Sequence, residues 1–287
     1  MLLSSGLRTR LSQYHWQTAQ LKRGMQKGKR RSAAFGSSLD FSDFRAYQPG
    51  DDVRQIDWNV YARTNRHYIK RYLDEQELSL AVYLDCSLSM GLEKEKWQMA
   101  KSLAAAIGYT GLVNDDRVSV IPVSEKGLAF SRKKGVVFAN QMLRQMESFE
   151  AGESGSFTEK LPRYRQEKTA LSFIISDFLE PVEQAADRLK LLQTNQQLRV
   201  IHLLSEKEMN PELSGDVKLI NVEQETDTVQ VSVTRGVISS YKERLREHCR
   251  LIEKTCIDRG IGYVQVSTGQ SIDEILFSRM RKKGWLA

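Results

Sequence analysis

The fold is decided by the stretch Leu80-Ala81-Val82-Tyr83-Leu84-Asp85-Cys86-Ser87-Leu88-Ser89-Met90. Its leading run of apolar residues predicts a strand that is buried on both faces, as in parallel sheets. Ligands of open α/β sheets bind at the carboxyl edge of such strands, and Asp85 lies at that edge. Ser87 and Ser89 follow at alternate positions, so three hard oxygen donors can face one point. This donor set suits Mg²⁺, with Mn²⁺ or Ca²⁺ as alternatives.

The pattern Asp85-x-Ser87-x-Ser89 has a predicted strand before it and a predicted helix after it. In this context it resembles the metal-ion-dependent adhesion site of von Willebrand factor type A domains. The structural alternative is that Ser87 or Ser89 merely caps the following helix. We favour the metal interpretation because two later segments of the chain also match that site.

The first of these segments is the polar loop at residues 150–158, where the resemblance implies a threonine ligand after one or two glycines. Thr158 matches by residue type, whereas Ser156 matches better by its place after Gly155. Ser154 is a third candidate, so the identity of this ligand stays open.

The second segment is the apolar run at residues 171–176, a predicted buried strand that ends at Asp177 and Phe178. A strand that ends in Ser-Asp-Phe resembles the third metal loop of the same fold. The resemblance implies that Asp177 is a distal carboxylate, which binds the metal through water, with Ser176 orienting it. The alternative role for Asp177 is the N-cap of the next helix.

The composition indicates a soluble globular protein, because 40% of the 287 residues are hydrophobic and 28% are charged. This length suits one α/β domain and an additional module. No apolar run reaches the ~18 residues of a membrane span, so we expect a cytoplasmic protein without a transmembrane segment. The three cysteines lack a metal-binding spacing and fit a reducing compartment.

The formal net charge of +7 is concentrated in part near the N-terminus, at Lys27-Gly28-Lys29-Arg30-Arg31. A basic segment of this kind can bind nucleic acid or an anionic membrane surface. No aromatic side chains interleave the charges, as they do in nucleic-acid-binding motifs. We therefore favour a solvated surface that contacts an acidic partner or the rest of the fold, with peripheral membrane contact left open.

The most distinctive sequence lies at residues 35–63 and contains three motifs. They are Gly36-x-Ser38-x-Asp40-Phe41, Arg45-x-Tyr47-x-Pro49-Gly50-Asp51-Asp52-x-Arg54-x-Ile56-Asp57-Trp58 and Ala62-Arg63. The Pro-Gly pair predicts a type II turn. The arginines and aspartates around Trp58 predict that Asp57 is partly buried and paired with an arginine, in a salt-bridge network under an aromatic lid formed by Trp58.

These motifs closely resemble the signature of the bacterial family named domain of unknown function 58, over residues 27 to about 180. Members of that family resemble von Willebrand A proteins and are associated with MoxR-type AAA+ ATPases, which implies a role as adaptor or co-chaperone. Many members carry membrane spans before the signature. Because this sequence shows none there, it resembles a soluble short form.

Predicted strands and helices alternate from residue 79 onward. This alternation predicts an α/β fold with a doubly wound, mostly parallel sheet flanked by helices, of the von Willebrand A or Rossmann-like type. We expect a basic helix and tail at 1–34, the signature segment at 35–77 and the von Willebrand A-like domain at 78–287. The N-terminal segments are expected to pack on that domain. Two late apolar runs, at 217–222 and 228–233, are predicted edge strands, and the last helix is predicted at 272–282.

The sequence favours a protein-interaction module over an enzyme. A cation held by Asp85, the two serines and Asp177 would have few negative ligands and stay electrophilic toward an acidic side chain of a protein partner. No nearby histidine or lysine motif offers a general base, and no Gly-x-Ser-x-Gly elbow is present. The alternatives are a metal-assisted hydrolase that uses Asp85 and a thiol enzyme that uses Cys86.

Overall fold

The computed structural model describes residues 2–18, 27–76, 78–194, 196–212, 215–220 and 228–287. Side chains are described throughout these ranges except at 27–43, 55, 70–76, 216–220 and 228–231. The chain forms two compact units. One comprises Met1–Gln20 with Ser79–Ala287, and the other comprises Leu21–Leu78.

The described residues form strands and helices in the following chain order. The strands are β1 (Lys27–Ala46), β2 (Tyr68–Gln76), β3 (Ser79–Asp85), β4 (Arg117–Val123), β5 (Phe130–Lys134), β6 (Leu171–Ser176), β7 (Gln197–Leu204), β8 (Gly215–Ile220), β9 (Thr228–Val233) and β10 (Gly262–Ser267). The helices are α1 (Ser5–Leu11), α2 (Trp58–Thr64), α3 (Leu88–Gly91), α4 (Lys94–Val113), α5 (Ala139–Glu147), α6 (Phe157–Lys160), α7 (Val182–Gln193), α8 (Glu206–Met209), α9 (Arg235–Asp258) and α10 (Ile272–Glu274). Short 3₁₀ turns lie at Val53–Gln55, Val136–Phe138 and Leu161–Tyr164, and a π-helical turn lies at Ile275–Met280.

The larger unit is built on a six-stranded sheet with the order β10-β7-β6-β3-β4-β5. All neighbouring strands are parallel except β5, which pairs antiparallel with β4. The predicted fold class is therefore confirmed: an α/β fold whose mostly parallel central sheet is flanked by helices, as in von Willebrand A and Rossmann-like folds. β3 is central because its apolar run is buried on both faces from Leu80 to Leu84.

The strand order reverses at β3. From β3 the chain continues to β4 on one side of the sheet, and the later strands β6, β7 and β10 are added on the other side. The topological switch point therefore lies between β3 and β6. In open α/β sheets the crevice at the carboxyl ends of such strands is the usual ligand site. Asp85 and Asp177 stand at the ends of these two strands.

The N-terminal segment differs from the predicted basic helix and tail over residues 1–34. α1 ends at Leu11, and β1 begins at Lys27 and crosses the boundary predicted between residues 34 and 35. Within the larger unit, Trp16 is fully buried and forms an antiparallel bridge with Leu286. Its indole N–H donates to the carbonyl of Ile107 in α4 at 3.0 Å. Burial of this aromatic ring explains why the described segment before residue 19 folds with the sheet.

The last third of the chain also differs in detail from the sequence prediction. β8 and β9 form their own two-stranded antiparallel sheet and are not edges of the main sheet, where β5 and β10 occupy the two edges. The helix predicted at 272–282 is the short α10 followed by the π-helical turn. Local sequence patterns predict a strand well, but the choice of its partner depends on the whole fold.

The smaller unit pairs β1 and β2 in an antiparallel ladder with several register shifts. The carboxylate of Asp57, which is buried, begins α2 by accepting hydrogen bonds from the backbone N–H groups of Asn59 and Val60. Trp58 is 59% exposed, so it does not form the predicted lid over this network. The arginine partner predicted for Asp57 stays a prediction.

Candidate functional site

The end of β3 positions the first set of predicted ligands. Asp85 is 2% exposed, and its carboxylate accepts hydrogen bonds from the Ser87 backbone N–H at 2.8 Å and the Ser176 hydroxyl at 2.5 Å. The hydroxyl oxygens of Ser87 and Ser89 are 3.0 Å apart. Ser87 occupies the N-cap position of α3, but its side chain makes no capping hydrogen bond. The Ser87 hydroxyl is therefore not used to cap α3.

The end of β6 brings the third loop to the same edge of the sheet. Asp177 is buried, and the residue before it, Ser176, both donates to Asp85 and accepts from the backbone N–H of Phe178 at 2.9 Å. The next helix, α7, begins at Val182 with Pro181 at its N-cap. Asp177 is thus not that N-cap, and the capping alternative is wrong for this residue.

The two aspartates are electrostatically coupled. Burial raises the pKa of Asp85, and the nearby charge of Asp177 raises it further, to about 7. The hydrogen bonds from Ser176 and Ser87 act in the opposite direction and favour the carboxylate. An anion at this position is therefore costly without a compensating positive charge.

Backbone hydrogen bonds hold the second loop (residues 150–158) against the first loop, which is the Asp-x-Ser-x-Ser segment at residues 85–89. The N–H groups of Gly152 and Glu153 both donate to the carbonyl of Cys86 at 2.9 Å, and the Leu88 N–H donates to the carbonyl of Glu153 at 3.1 Å. The loop that begins after α5 is therefore fixed beside the Asp-x-Ser-x-Ser segment, as the resemblance implies.

The hydroxyls of this second loop have different partners. Thr158 is fully buried, its hydroxyl donates to the Glu180 carboxylate, and its N–H donates to the same group at 3.2 Å. Ser156 is the N-cap of α6 through the Glu159 N–H, and its hydroxyl lies 3.3 Å from that of Thr158. Ser154 is exposed. Since Glu180 closely follows Asp177, the second and third loops are tied together at Thr158.

One charged residue of this region was missed by the sequence analysis, which found no lysine near the site. The Lys96 side chain is fully buried, and its ammonium donates to Asp177 at 2.6 Å and to Glu208 at 2.7 Å. Burial lowers the pKa of Lys96, but the two carboxylates together raise it above its usual value, so the group is charged. The spacing of Lys96, Ala100, Leu103 and Ile107 would have placed it on the apolar stripe of α4.

Comparison with known sequences places the chain in a family. Residues 43–250 match the family described as "Protein of unknown function DUF58". The chain belongs to the DUF58 family. An uncharacterized protein from Mycobacterium bovis and one from Mycobacterium tuberculosis are each 25% identical to it over 265 residues, which cover 88% of this chain and 82% of the relative.

Among solved structures, an aerotolerance-related membrane protein from Bacteroides fragilis, crystallised with multiple mutations to serines, matches with a TM-score of 0.37 and 14% identity. The match covers 71% of this DUF58 chain and 99% of the other chain, and at this score it carries no argument about either protein. None of the helices in the described part of the chain is long and apolar enough to cross a membrane.

The donor set of this DUF58 protein fits a hard divalent cation. Two buried carboxylates, from Asp85 and Asp177, lie at the same edge of the sheet as the hydroxyls of Ser87 and Ser89, and all of these donors are oxygen atoms. Within the described ranges, no group of three or more His, Cys, Asp and Glu side chains could hold a metal ion. A metal bound by these residues would therefore rely on the serine hydroxyls as well as on the two carboxylates.

Proposed function

We propose that this DUF58 protein is a non-enzymatic, metal-dependent protein-interaction module. Mg²⁺ would be held by Asp85, Ser87 and Ser89, with Thr158 or Ser156 from the second loop and Asp177 from the third. When bound, the ion would supply an electrophilic position for an acidic side chain of the partner. The observation that supports this proposal is the position of two coupled, buried carboxylates and paired serine hydroxyls at the topological switch point.

The surrounding residues keep the oxygen donors oriented. Ser176 holds one carboxylate oxygen of Asp85, and the Ser87 N–H holds the other, so the side chain has little rotational freedom. The Thr158 hydroxyl is oriented by the hydrogen bond that it donates to the Glu180 carboxylate. These contacts preorganise the site, because a ligand set that is already ordered loses less conformational entropy on binding.

The chemistry of the neighbouring groups favours binding over catalysis. Burial raises the pKa of the Cys86 thiol well above its usual range, so the nucleophilic thiolate is disfavoured. Burial lowers the pKa of His202 to about 4, and its Nδ1 is 2.8 Å from the Tyr263 hydroxyl. A neutral, fully buried histidine paired with tyrosine has a structural role. Lys96 is charged and cannot act as a base.

The proposed partner is a MoxR-type AAA+ ATPase that offers an acidic side chain to the ion, with the cytoplasm as the proposed compartment. The partner class comes from the family resemblance of the signature motifs. The three cysteines are free and buried, which is compatible with a reducing compartment.

The test is calorimetric titration of Mg²⁺ into the wild type, Asp85→Ala and a matched surface variant, Asp187→Ala. Asp187 lies on α7 with its side chain 83% exposed. We expect Asp85→Ala alone to lose Mg²⁺ binding while staying folded, because Asp85 stands at a strand end. Equal Mg²⁺ binding by all three proteins would overturn the proposed site.

The partner is tested by capture of a purified MoxR-type ATPase from the same bacterium, in Mg²⁺ or in chelator. Retention only in Mg²⁺, and only by proteins with an intact Asp85, is the expected result. If retention of the ATPase is unchanged in chelator but falls steeply with added salt, the ATPase binds instead through the basic N-terminal region. That outcome would contradict a metal-bridged contact.

A further inference from the structure

Lys96 is an unusual residue in the first turn of α4. It lies on the apolar stripe that faces the sheet, and its side chain is fully buried. Burial of an ammonium group is unfavourable unless the charge is paired. Here it is paired twice, with Asp177 at 2.6 Å and with Glu208 at 2.7 Å.

The two partners of Lys96 belong to different parts of the fold. Asp177 is one of the predicted metal ligands at the end of β6. Glu208 belongs to the capping box of α8, where its second carboxylate oxygen accepts the Ser205 N–H at 2.7 Å. The Lys96 ammonium also lies 3.5 Å from the carbonyl of Ser89 in the first loop. The ammonium is therefore a cation built into the chain, adjacent to the first and third loops.

We propose that Lys96 competes with the divalent cation for Asp177, and that Glu208 retains the ammonium when the cation binds. This inference rests on the proposed function, because it concerns the same metal site. A carboxylate shared with an ammonium attracts a divalent cation less strongly than a free one, and the two positive charges repel each other. Lys96 therefore lowers the affinity of the site for Mg²⁺.

The competition also concerns the charge balance of the site. In the absence of Mg²⁺, Lys96 compensates the buried charge of Asp177, so the loops stay folded. When Mg²⁺ binds, the Asp85 and Asp177 carboxylates balance its two charges, and Glu208 balances the ammonium of Lys96. The metal can therefore replace the ammonium at Asp177 without leaving an uncompensated charge.

The experiment is calorimetric titration of Mg²⁺ into the full-length wild type, Lys96→Met and Lys101→Met. Lys101 is a matched control because it is also a buried lysine on α4, but its charged neighbours are Glu147 and Glu150. Met preserves the unbranched apolar stem and removes the charge. We expect Lys96→Met to bind Mg²⁺ at least about tenfold more tightly than the wild type, and Lys101→Met to bind it unchanged.

A second variant keeps the test decisive if Lys96→Met does not fold. Glu208→Gln preserves the capping box, which accepts either Glu or Gln at this position, but it removes the negative charge that retains the ammonium. We expect Mg²⁺ affinity to fall severalfold in Glu208→Gln. Unchanged or higher affinity in this variant would contradict the competition.

The outcomes separate this inference from the proposed function. If the wild type binds Mg²⁺ and Lys96→Met binds it equally or more weakly, the competition is wrong and the metal site stands. If only Lys96→Met binds Mg²⁺, the competition is supported, and the metal-dependent function of the wild type is wrong. If neither protein binds Mg²⁺, both are overturned.

Discussion

Burial, together with the nearby charge of Asp177, raises the pKa of the Asp85 carboxyl group from its ordinary value of 3.8 to about 7. A carboxyl group whose pKa is raised by folding favours the folded state at low pH, where it is protonated in both states. Its contribution to the free energy of unfolding is lost progressively as the pH rises from about 4 to about 7, because the carboxyl group ionises at a lower pH in the unfolded chain than in the folded protein. Each pKa unit corresponds to roughly 1.4 kcal/mol.

We therefore predict that Asp85→Asn flattens the pH dependence of stability in chelator. Between pH 5 and pH 8 the wild type should lose roughly 2–4 kcal/mol of unfolding free energy relative to Asp85→Asn. Urea denaturation at several pH values measures this difference. Addition of Mg²⁺ at pH 8 should stabilise the wild type and not Asp85→Asn. Parallel pH profiles for the two proteins would show that the Asp85 carboxyl group is not perturbed.

The proposed second-loop ligand can be assigned by replacing its two candidate hydroxyls, of Thr158 and Ser156, one at a time. Thr158→Val removes the fully buried hydroxyl and should weaken Mg²⁺ binding by about tenfold or more, because a ligand is lost. Ser156→Ala removes the N-cap of α6 and should cost about 1 kcal/mol of stability with little change in Mg²⁺ affinity. Titration calorimetry and urea denaturation distinguish the two effects. The opposite pattern would assign Ser156 as the ligand.

At the scale of secondary-structure elements, the buried strands were the most predictable part. β3 contains a continuous apolar run that ends at Asp85, and β6 and β7 are mostly apolar, which favours strands buried on both faces. The pairing of β8 with β9 was not predictable in the same way. Whether two short runs join a sheet or pair with each other depends on which edges the other strands already occupy.

The candidate site shows a similar division between local and long-range information. Asp85, Ser87 and Ser89 follow one strand, and their pattern is visible in a single segment. The contact of Lys96 with Asp177 joins residues 81 positions apart, and no local pattern specifies it. The tie between Thr158 and Glu180 is likewise a contact between two loops. Sequence reasoning therefore identified the candidate ligands of the first loop more readily than the residues that contact the candidate ligands from other parts of the fold.

α2 in the signature segment provides a prediction at this scale. Asp57 begins this helix with two side-chain hydrogen bonds and is buried, so Asp57→Ala should destabilise α2 by about 1–2 kcal/mol. Asp52→Ala is the control, because Asp52 is exposed and caps only the short 3₁₀ turn. Hydrogen exchange of the Trp58–Thr64 peptide measures the local stability. A much larger loss would indicate the buried ion pair with arginine that the sequence predicts.

At the scale of the larger unit, the two ends of the described chain stabilise the same part of the sheet. The His15 N–H donates to the carbonyl of Ala287 at 2.8 Å, and the Gln17 N–H donates to that of Trp285 at 2.9 Å. The Arg199 guanidinium in β7 lies over the rings of Phe173 and Trp285, with centroid distances of 5.4 and 5.2 Å. It also donates to the carbonyl of Gln17. The N-terminal and C-terminal segments therefore form one aromatic layer against β6 and β7.

Trp16 is the residue on which this layer depends most. Its ring packs edge-on against Phe173 of β6 at a centroid distance of 4.7 Å, and its indole N–H donates to the carbonyl of Ile107. We predict that Trp16→Ala lowers the unfolding free energy of the larger unit by about 3–5 kcal/mol, since it leaves a large cavity and removes the hydrogen bond of the indole N–H. Urea denaturation followed by far-UV circular dichroism measures the loss.

The residues that exchange faster in Trp16→Ala show whether the N-terminal segment is part of the larger unit or a tail that detaches from it. If the N-terminal segment is part of the larger unit, Trp16→Ala should accelerate hydrogen exchange in β6 and in α4 together, because the indole contacts both elements. The exposed neighbour Gln13 provides the control, and Gln13→Ala should leave exchange in both elements unchanged. Faster exchange restricted to residues 2–18 would mean that the segment detaches without loss to the sheet. In that case the sheet would have to obtain its stability without the aromatic layer.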